Sequence, residues 1–225
     1  VPVRAPGEVL VRMKAATLNR VDLYMRNSGA GITHRLPQIM GIDGAGVVEE
    51  ADADEPRLKR GQAVVLHPAV SCGHCEFCVT GRMALCLGGD TRRGKAEAPR
   101  LTRADGSVVN QMLNLSAFAE MMLVHEHACV AIDPEMPLDR AAVIGCAVTT
   151  GAGAVFNACK VTPGESVAVV GCGGVGLATI NAAKIAGAGR IIAADPIAEK
   201  RELALKLGAT DVVDATAPDA AKQIL

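Results

Sequence analysis

The stretch Val167-Ala168-Val169-Val170-Gly171-Cys172-Gly173-Gly174-Val175-Gly176 decides the fold of the C-terminal part of the chain. An apolar run typical of a buried strand leads directly into Gly-x-Gly-x-x-Gly, and a helical pattern follows. In such a loop the first glycine allows a tight turn, the second lets the backbone approach a pyrophosphate, and the third lets helix and strand pack closely. The pattern predicts a dinucleotide-binding βαβ unit, whose cofactor-binding residues are Gly171, Gly173, Gly174, Val175 and Gly176.

An acidic residue follows the second strand of this unit. The predicted strand Arg190–Ala194 leads into Asp195, about 20 residues beyond Gly176, which is the usual spacing for the acid that binds a ribose. A carboxylate here accepts hydrogen bonds from both ribose hydroxyls of an adenosine and repels a 2′-phosphate. The sequence therefore predicts NAD rather than NADP as the cofactor. The alternative is a glycine-rich turn in an α/β protein that binds no nucleotide.

Four cysteines, Cys72, Cys75, Cys78 and Cys86, lie close together in the sequence. Four thiolates at such spacings can bind one Zn²⁺ tetrahedrally and leave no open position, so the pattern predicts one structural zinc per chain in the lobe 72–86. A cytoplasmic setting disfavours disulfides, and an iron–sulfur run brings its fourth cysteine sooner. His74 is expected to be an outward-pointing loop residue rather than a ligand.

The pattern of the chain changes near residue 133. Short Val-rich stretches separated by Gly and Pro precede it, and they predict the strands Glu8–Lys14, Gly46–Glu50, Ala63–His67, Glu120–Val124 and Ala128–Ile132. Strands alternate with helices after it, over Ser166–Val170, Val175–Ala186, Arg190–Ala194, Ile197–Leu207 and Asp211–Val213. The sequence thus predicts an all-β domain over 1–132 and an α/β domain with a parallel sheet over 133–225.

Composition excludes several classes of function. The 23 basic and 24 acidic residues leave no excess positive charge for nucleic acid. Apolar runs such as Ala141–Ala147 end well before the roughly 18 to 20 residues of a membrane helix, so no membrane span is expected. The start of the chain lacks a signal-like apolar core, which favours a cytoplasmic protein. The segment Gly88–Gly106, with five Arg or Lys, is expected to be a solvated surface loop.

Several segments follow one another in the order seen in medium-chain, zinc-type alcohol dehydrogenases, and the chain resembles that family over essentially its whole length. The segments are Gly7–Val11, Gly41–Val48, the four cysteines, Phe118–Glu120, Gly145–Gly151 and the glycine loop. The resemblance implies a GroES-like β domain, a Rossmann domain, a structural zinc, a catalytic zinc and an active site between the domains. It also implies that the chain holds the first Rossmann half and lacks a first strand or two, the second half and a C-terminal return.

The same resemblance assigns the catalytic zinc to positions that here are Asn19, Ile42 and Cys146, with Asp43 beside the second. Ile42 cannot bind metal and Asn19 offers a weak neutral oxygen, so the catalytic zinc is expected to be absent. The segment Asn19–Tyr24 instead resembles zinc-independent quinone oxidoreductases, which show Asn-x-x-Asp-x-Tyr. That resemblance implies that a hydrogen-bond donor replaces the metal, and Tyr24 is the candidate. An ordinary buried tyrosine is the alternative.

Two further residues match family positions. Arg20 resembles the basic residue that contacts the cofactor pyrophosphate, although an exposed arginine explains it nearly as well. Thr150 matches the threonine beside the nicotinamide, and its hydroxyl can equally bond to its own helix.

These observations favour an NAD(H)-dependent oxidoreductase that transfers a hydride to or from a small carbonyl, enone or quinone. A second hypothesis is a zinc-dependent alcohol dehydrogenase that uses Cys146, Asp43 and a further ligand among Glu120, His125 and His127. A third is a non-catalytic partial chain that binds structural zinc and nucleotide. The expected partner is a small-molecule substrate, and the intact protein is expected to be a homo-oligomer.

Overall fold

The structure is a computed structural model that describes residues 2, 4–27, 35–52, 54, 56–89, 91–94 and 96–225. The chain divides into two compact units, Val1–Cys146 and Ala147–Leu225. This division lies later in the chain than the boundary at 132/133 that the sequence suggests. The reason is that Ala141 and Ala142 are buried against Ala45 and Val65 of the β domain.

An antiparallel sheet dominates the first unit. The described strands of this unit are β1 (Glu8–Ala16), β2 (Gln38–Ile39), β3 (Gly44–Glu50), β4 (Ala63–Leu66), β5 (Asn110–Gln111), β6 (Met121–His125) and β7 (Cys129–Ala131). Five strands pair in the order β6-β1-β3-β4-β7, while β2 and β5 form a separate parallel pair. The five strands predicted before residue 133 are confirmed, with every end within two residues of its expected place.

Apolar residues of these strands and of the loops that connect them build the core of the first unit. The buried set is Val9, Val11, Val48, Leu58, Val64, Leu66, Leu115, Ala117, Met122, Val124, Ala128 and Cys129. Each fully buried Val, Leu or Met side chain contributes about 1.5–3 kcal/mol to folding by leaving water. The Val-rich alternation of the sequence therefore accounts directly for this sheet.

The helices of the first unit are short. They are α1 (Arg20–Arg26), α2 (Glu76–Val79) and α3 (Leu138–Ala141), with single 3₁₀ turns at Met83–Leu85, Met112–Asn114 and Glu126–Ala128. Helix α1 begins after Asn19, whose backbone N–H donates to the Asp22 carboxylate at 2.8 Å. This contact is half of a capping box, in which an acid at the third helical position satisfies the first backbone donor.

The second unit is a βαβαβ arrangement. Its helices are α4 (Thr149–Gly153), α5 (Gly174–Ile185), α6 (Ala198–Leu207) and α7 (Ala220–Ile224), and its strands are β8 (Ser166–Val170), β9 (Arg190–Asp195) and β10 (Asp211–Asp214). The three strands are parallel in the order β10-β9-β8, and α5 and α6 connect them. This order is that of the first half of a Rossmann domain, as predicted.

A continuous helical stretch, Leu138–Cys159, contains α3, α4 and two π-helical segments, Ile144–Val148 and Ala154–Cys159. It has 22 residues and a mean hydropathy of 1.5 in its most apolar window, which meets the length and composition of a membrane span. The expectation that apolar runs end too early was therefore wrong for this segment, because glycines within it do not interrupt the helix. Length and composition alone make it a candidate, and core helices of soluble proteins share both.

Glu8 at the start of β1 anchors the segment that follows the cysteine lobe. Its carboxylate accepts from Arg93 Nη2 at 2.5 Å and from Arg100 Nε at 2.6 Å, and it is 3% exposed. Burial raises the pKa of Glu8, but hydrogen bonds from Arg93, Arg100 and the Ala5 N–H outweigh it and hold the pKa below its ordinary value. The prediction of a solvated loop over Gly88–Gly106 was thus wrong for Arg93 and Arg100; Lys95 lies outside the described residues.

Replacing Glu8 by Gln should lower the free energy of unfolding by about 3–5 kcal/mol at pH 7, because two largely buried arginines lose their counter-charge. Because the pKa of Glu8 is lowered by folding, the ionised carboxylate stabilises the wild-type protein at pH values above the ordinary pKa of Glu. This stabilisation is lost as the pH falls through the pKa of Glu8 in the folded state. Urea titrations at several pH values should therefore show the two proteins converging in acid. Glu49→Gln, which breaks the more exposed pair with Arg12, is the control, and an equal loss there would contradict the account.

Candidate functional site

The sulfur atoms of Cys72, Cys75, Cys78 and Cys86 all lie within 4.8 Å of one another. The sulfur–sulfur distances are 3.9 Å for Cys72–Cys78, 3.6 Å for Cys75–Cys78 and 3.9 Å for Cys75–Cys86. A zinc–sulfur bond of about 2.3 Å in a tetrahedron requires sulfur–sulfur edges of about 3.8 Å. The four cysteines are free of disulfides and already have the spacing of a tetrahedral zinc site.

Backbone donors surround these sulfurs. The N–H groups of Cys72 and Gly88 donate to Cys86 Sγ, both at 3.2 Å, and the N–H of Cys75 donates to Cys72 Sγ at 3.3 Å. The Cys78 backbone N–H is the main cause that lowers the pKa of Cys75 to about 6, whereas burial raises the pKa of Cys78 to about 12. A bound cation would ionise all four thiols, so the site fits the predicted structural zinc. His74 is exposed and lies outside this ligand group.

The glycine loop joins β8 to α5, and three of its glycines are required for different reasons. Gly171 has φ of +96°, a conformation that side chains rarely adopt. A Cβ on Gly176 would lie 1.8 Å from the Gly171 carbonyl oxygen, whereas a Cβ on Gly173 would meet no described atom within 4 Å. The loop therefore leaves open space at Gly173, directly before the first helical N–H groups of α5, where an anion is stabilised.

Asp195 connects the glycine loop to the start of α6. Its Oδ2 accepts from the Cys172 N–H at 2.8 Å and its Oδ1 accepts from the Ile197 N–H at 2.9 Å. The Ile197 N–H is the largest cause that holds the pKa of Asp195 below its ordinary value, so the carboxylate is ionised at neutral pH. The residue is 4% exposed, and each oxygen retains a further lone pair that can accept from a hydroxyl.

Ile42 lies where the resemblance assigns a metal-binding histidine. It is 3% exposed and packs with buried Met25 and Met112, and Met40 and Cys146 cover the same cluster. An aliphatic side chain in an apolar cluster offers no lone pair to a cation, so this position does not fit a catalytic zinc.

Asp43, next to Ile42, is fully buried. Its Oδ1 accepts from the Asn19 amide at 2.7 Å and from the Thr17 hydroxyl. In the described part of the chain its Oδ2 has no hydrogen-bond partner. Burial raises the pKa of Asp43, and hydrogen bonds from Thr17, from Asn19 and from the Cys146 backbone oppose that effect. The Asn19 side chain is therefore committed to a carboxylate and not to a metal.

Comparisons with known proteins agree with this architecture. A family model described as "Alcohol dehydrogenase GroES-like domain" matches residues 5–134, and one described as "Zinc-binding dehydrogenase" matches residues 174–225. The chain belongs to the zinc-type alcohol dehydrogenase family.

Individual relatives are similar over nearly the whole chain. S-(hydroxymethyl)glutathione dehydrogenase of Saccharomyces cerevisiae is 37% identical over 92% of this chain and 54% of its own length. A crystal structure of an alcohol dehydrogenase zinc-binding domain protein from Burkholderia ambifaria has a TM-score of 0.89 at 35% identity, covering 98% of this chain and 60% of that one. An NAD-dependent alcohol dehydrogenase has a TM-score of 0.80 at 32% identity, covering 99% and 60%. The chain thus spans a little over half the length of these relatives.

The remaining predicted residues of the chain lie on helices. Tyr24 on α1 is 45% exposed, and its hydroxyl accepts from Arg20 Nε at 3.4 Å, so it is not an ordinary buried tyrosine. Thr150 is exposed on α4. Asp22 accepts from the backbone N–H groups of Asn19 and Gly41, at 2.8 and 3.2 Å, so its carboxylate stabilises the start of α1 and the segment before β3.

The further ligands considered for a zinc-dependent enzyme, Glu120, His125 and His127, do not form a metal site with Cys146 and Asp43 in the described part of the chain. His127 Nδ1 lies 2.7 Å from the Ser71 carbonyl oxygen, and His125 Nδ1 accepts from the His127 N–H at 3.1 Å. Glu120 is exposed. Within the ranges that the structure describes, the four cysteines are the one group of three or more such ligand atoms close enough to share an ion.

The ion pair between Arg201 and Asp214, which lies beside Asp195, was not predicted from the sequence. Its atoms Nη2 and Oδ2 are 3.3 Å apart. The signal available was the acid at the end of β10, since the carboxyl ends of neighbouring parallel strands meet at one edge of the sheet.

Cys78→Ser should lower the zinc content from one ion per chain to well below half an ion per chain, because a hydroxyl is a poor substitute for the fourth thiolate. The lobe 72–86 should then be cut by protease while the glycine loop stays folded. Cys159→Ser, which alters an exposed cysteine of the second unit, is the control. Unchanged zinc content in Cys78→Ser would show that the four sulfurs do not share the ion.

Gly176→Ala and Gly173→Ala should separate folding from ligand binding. The first places Cβ against the Gly171 carbonyl and should destabilise the second unit by about 1–3 kcal/mol through overpacking. The second should leave the melting temperature nearly unchanged and weaken dinucleotide binding at least tenfold, because its methyl group occupies the open side of the loop. Equal thermal destabilisation by the two substitutions would contradict these separate roles.

Proposed function

We propose that the intact protein is an NAD(H)-dependent oxidoreductase that transfers a hydride to or from a small carbonyl, enone or quinone without a catalytic zinc. The observation that carries this proposal is the buried Ile42, which packs with Met25 and Met112 where the family resemblance implies a zinc ligand. Neither this side chain nor the hydrogen-bonded Asn19 amide can replace the missing histidine and cysteine.

The glycine loop and Asp195 are the proposed cofactor site. The open side of Gly173 and the first N–H groups of α5 can take a pyrophosphate, while Gly174 and Val175 begin that helix. Asp195 is the proposed acceptor for the adenosine ribose hydroxyls, and its fixed orientation suits that role. A structural neighbour is named as NAD-dependent, which supports NAD for this chain as well. When bound, NAD supplies the hydride chemistry, and the protein supplies orientation and electrostatics.

Tyr24 is the proposed donor to the substrate oxygen. Because its hydroxyl oxygen accepts from Arg20 Nε, its own proton is available to a second acceptor. A hydrogen bond to an oxygen on which negative charge develops is the function that a Lewis-acid metal would otherwise serve. Arg20 is proposed to act also toward the cofactor pyrophosphate, and Thr150 toward the nicotinamide.

An apolar cavity beside α1 supports a substrate with a hydrophobic part. Its volume is 420 Å³, and its lining includes Leu23, Met25, Met40 and Phe118. Met25 and Met40 also contact the cluster around Ile42, so the cavity adjoins the proposed site through shared side chains.

The zinc-dependent hypothesis retains two donors, Cys146 and the unpartnered oxygen of Asp43. The non-catalytic hypothesis retains the zinc lobe and the glycine loop. Cytoplasmic location and homo-oligomeric assembly stay predictions from the sequence. One set of measurements on the intact protein distinguishes the three hypotheses.

Tyr24→Phe should lower kcat by about 10²-fold, near the lower end of what a single acid–base or oxyanion group contributes. Its melting temperature should match wild type, since the side chain is 45% exposed and its hydroxyl accepts one long hydrogen bond, from Arg20. Wild-type activity with NAD(H) should survive dialysis against a chelator that removes loosely bound metal. Two zinc ions per chain with activity lost on chelation would restore the zinc-dependent hypothesis, and zinc and nucleotide binding without turnover would favour the non-catalytic one.

A further inference from the structure

Arg201 lies against the end of β9. Its Nη1 donates to the backbone carbonyl of Asp195 at 2.6 Å, and its Nη2 lies 3.3 Å from Asp214 Oδ2. The side chain is 18% exposed, so it is held close to the protein surface. The guanidinium is thus fixed beside the residue proposed to bind the adenosine ribose.

Asp214 is itself held in place. It ends β10 and pairs in register with Asp195 at the end of β9. Its Oδ1 accepts from the backbone N–H of Thr216 at 2.9 Å and from the Thr216 hydroxyl at 2.6 Å, which leaves Oδ2 for Arg201. Both oxygens therefore have fixed partners.

We propose that the Arg201–Asp214 ion pair is a second determinant of dinucleotide choice, which withholds a phosphate-binding arginine from the 2′ position of the adenosine ribose. The inference rests on the proposed function, because it concerns the same cofactor site. Asp195 repels a 2′-phosphate directly, and Asp214 neutralises the cation that could otherwise attract one. Specificity for NAD then comes from two carboxylates with different tasks.

The geometry favours this role over a purely structural one. Ion pairs that are partly exposed add little to stability, and the Asp214 side chain is 43% exposed. Arginine is the side chain best suited to phosphate, since its planar fork donates two parallel hydrogen bonds. Lys200 also acts on Asp195 through its charge, so the four groups Asp195, Lys200, Arg201 and Asp214 sum to zero. Removing the Asp214 charge leaves one net positive charge there.

The same two strands provide a matched control. Asp211 at the start of β10 pairs with Arg190 at the start of β9, at 3.2 Å and with exposures of 44% and 43%. Asp211→Asn removes the same charge from the same strand, about 10 Å away from Asp214 along the chain. Physiological salt screens exposed charges at about that distance, so the control should not affect the cofactor site.

The test is the binding of NAD⁺ and NADP⁺ to the intact protein by isothermal titration calorimetry, with 2′,5′-ADP and 5′-AMP as fragments that differ in the 2′-phosphate. Asp214→Asn should strengthen binding of NADP⁺ and 2′,5′-ADP about five- to tenfold, the value of one charged hydrogen bond after partial screening. Binding of NAD⁺ and 5′-AMP should change less than twofold. Arg201→Gln combined with Asp214→Asn should abolish the gain, and Asp211→Asn should show none.

The proposal is overturned if Asp214→Asn leaves NADP⁺ binding unchanged while NAD⁺ binds normally. It is overturned equally if the gain persists without Arg201, or if Asp211→Asn gives the same gain through general charge. Wild type that binds neither dinucleotide would instead overturn the proposed function, and this inference with it.

Discussion

The hydrogen bond from the Asn19 amide to the buried Asp43 carboxylate organises the site of the first unit. It joins the residue that precedes α1 to the segment that leads into β3, and Thr17 after β1 donates to the same oxygen. A carboxylate with no exposed surface is costly unless donors surround it, so these three residues depend on one another. Ile42 can then lie in an apolar cluster directly beside a carboxylate.

This arrangement shows what holds the chain together at the positions where the family resemblance implies metal ligands. A metal would hold α1, the segment before β3 and the segment around Cys146 through coordinate bonds. Here hydrogen bonds to Asp43 hold the first two. The Cys146 backbone bonds to the same carboxylate, and Cys146 covers the apolar cluster of Met25, Ile42 and Met112. The lobe 72–86 does not depend on the contacts of Asp43 and Ile42, since its cysteine sulfurs have their own backbone donors.

Much of the fold follows from the sequence, because period and spacing are local signals. Short Val-rich stretches between Gly and Pro predicted β1, β3 and β4, and the spacing of the four cysteines predicted a cluster that has tetrahedral dimensions in the structure. Helix α1 escaped prediction because it is short, although Asn19 and Asp22 mark a capping box.

Features that depend on distant partners could not be predicted in this way. Arg93 and Arg100 were expected in water, and only the tertiary structure places them against Glu8. The Asp195–Cys172 and Arg201–Asp214 contacts likewise join separate strands and loops. The roles of Tyr24, Arg20 and Thr150 stay proposals, since each of them concerns a contact with the substrate or the cofactor.

X-ray absorption at the zinc edge on the intact, purified protein tests the central claim most directly, because it reports both the zinc content and the atoms bound to zinc. One zinc per chain is expected, with four sulfur neighbours at about 2.3 Å and no nitrogen or oxygen shell. A second equivalent of zinc, with nitrogen or oxygen scatterers at about 2.0–2.2 Å beside fewer sulfurs, would contradict it.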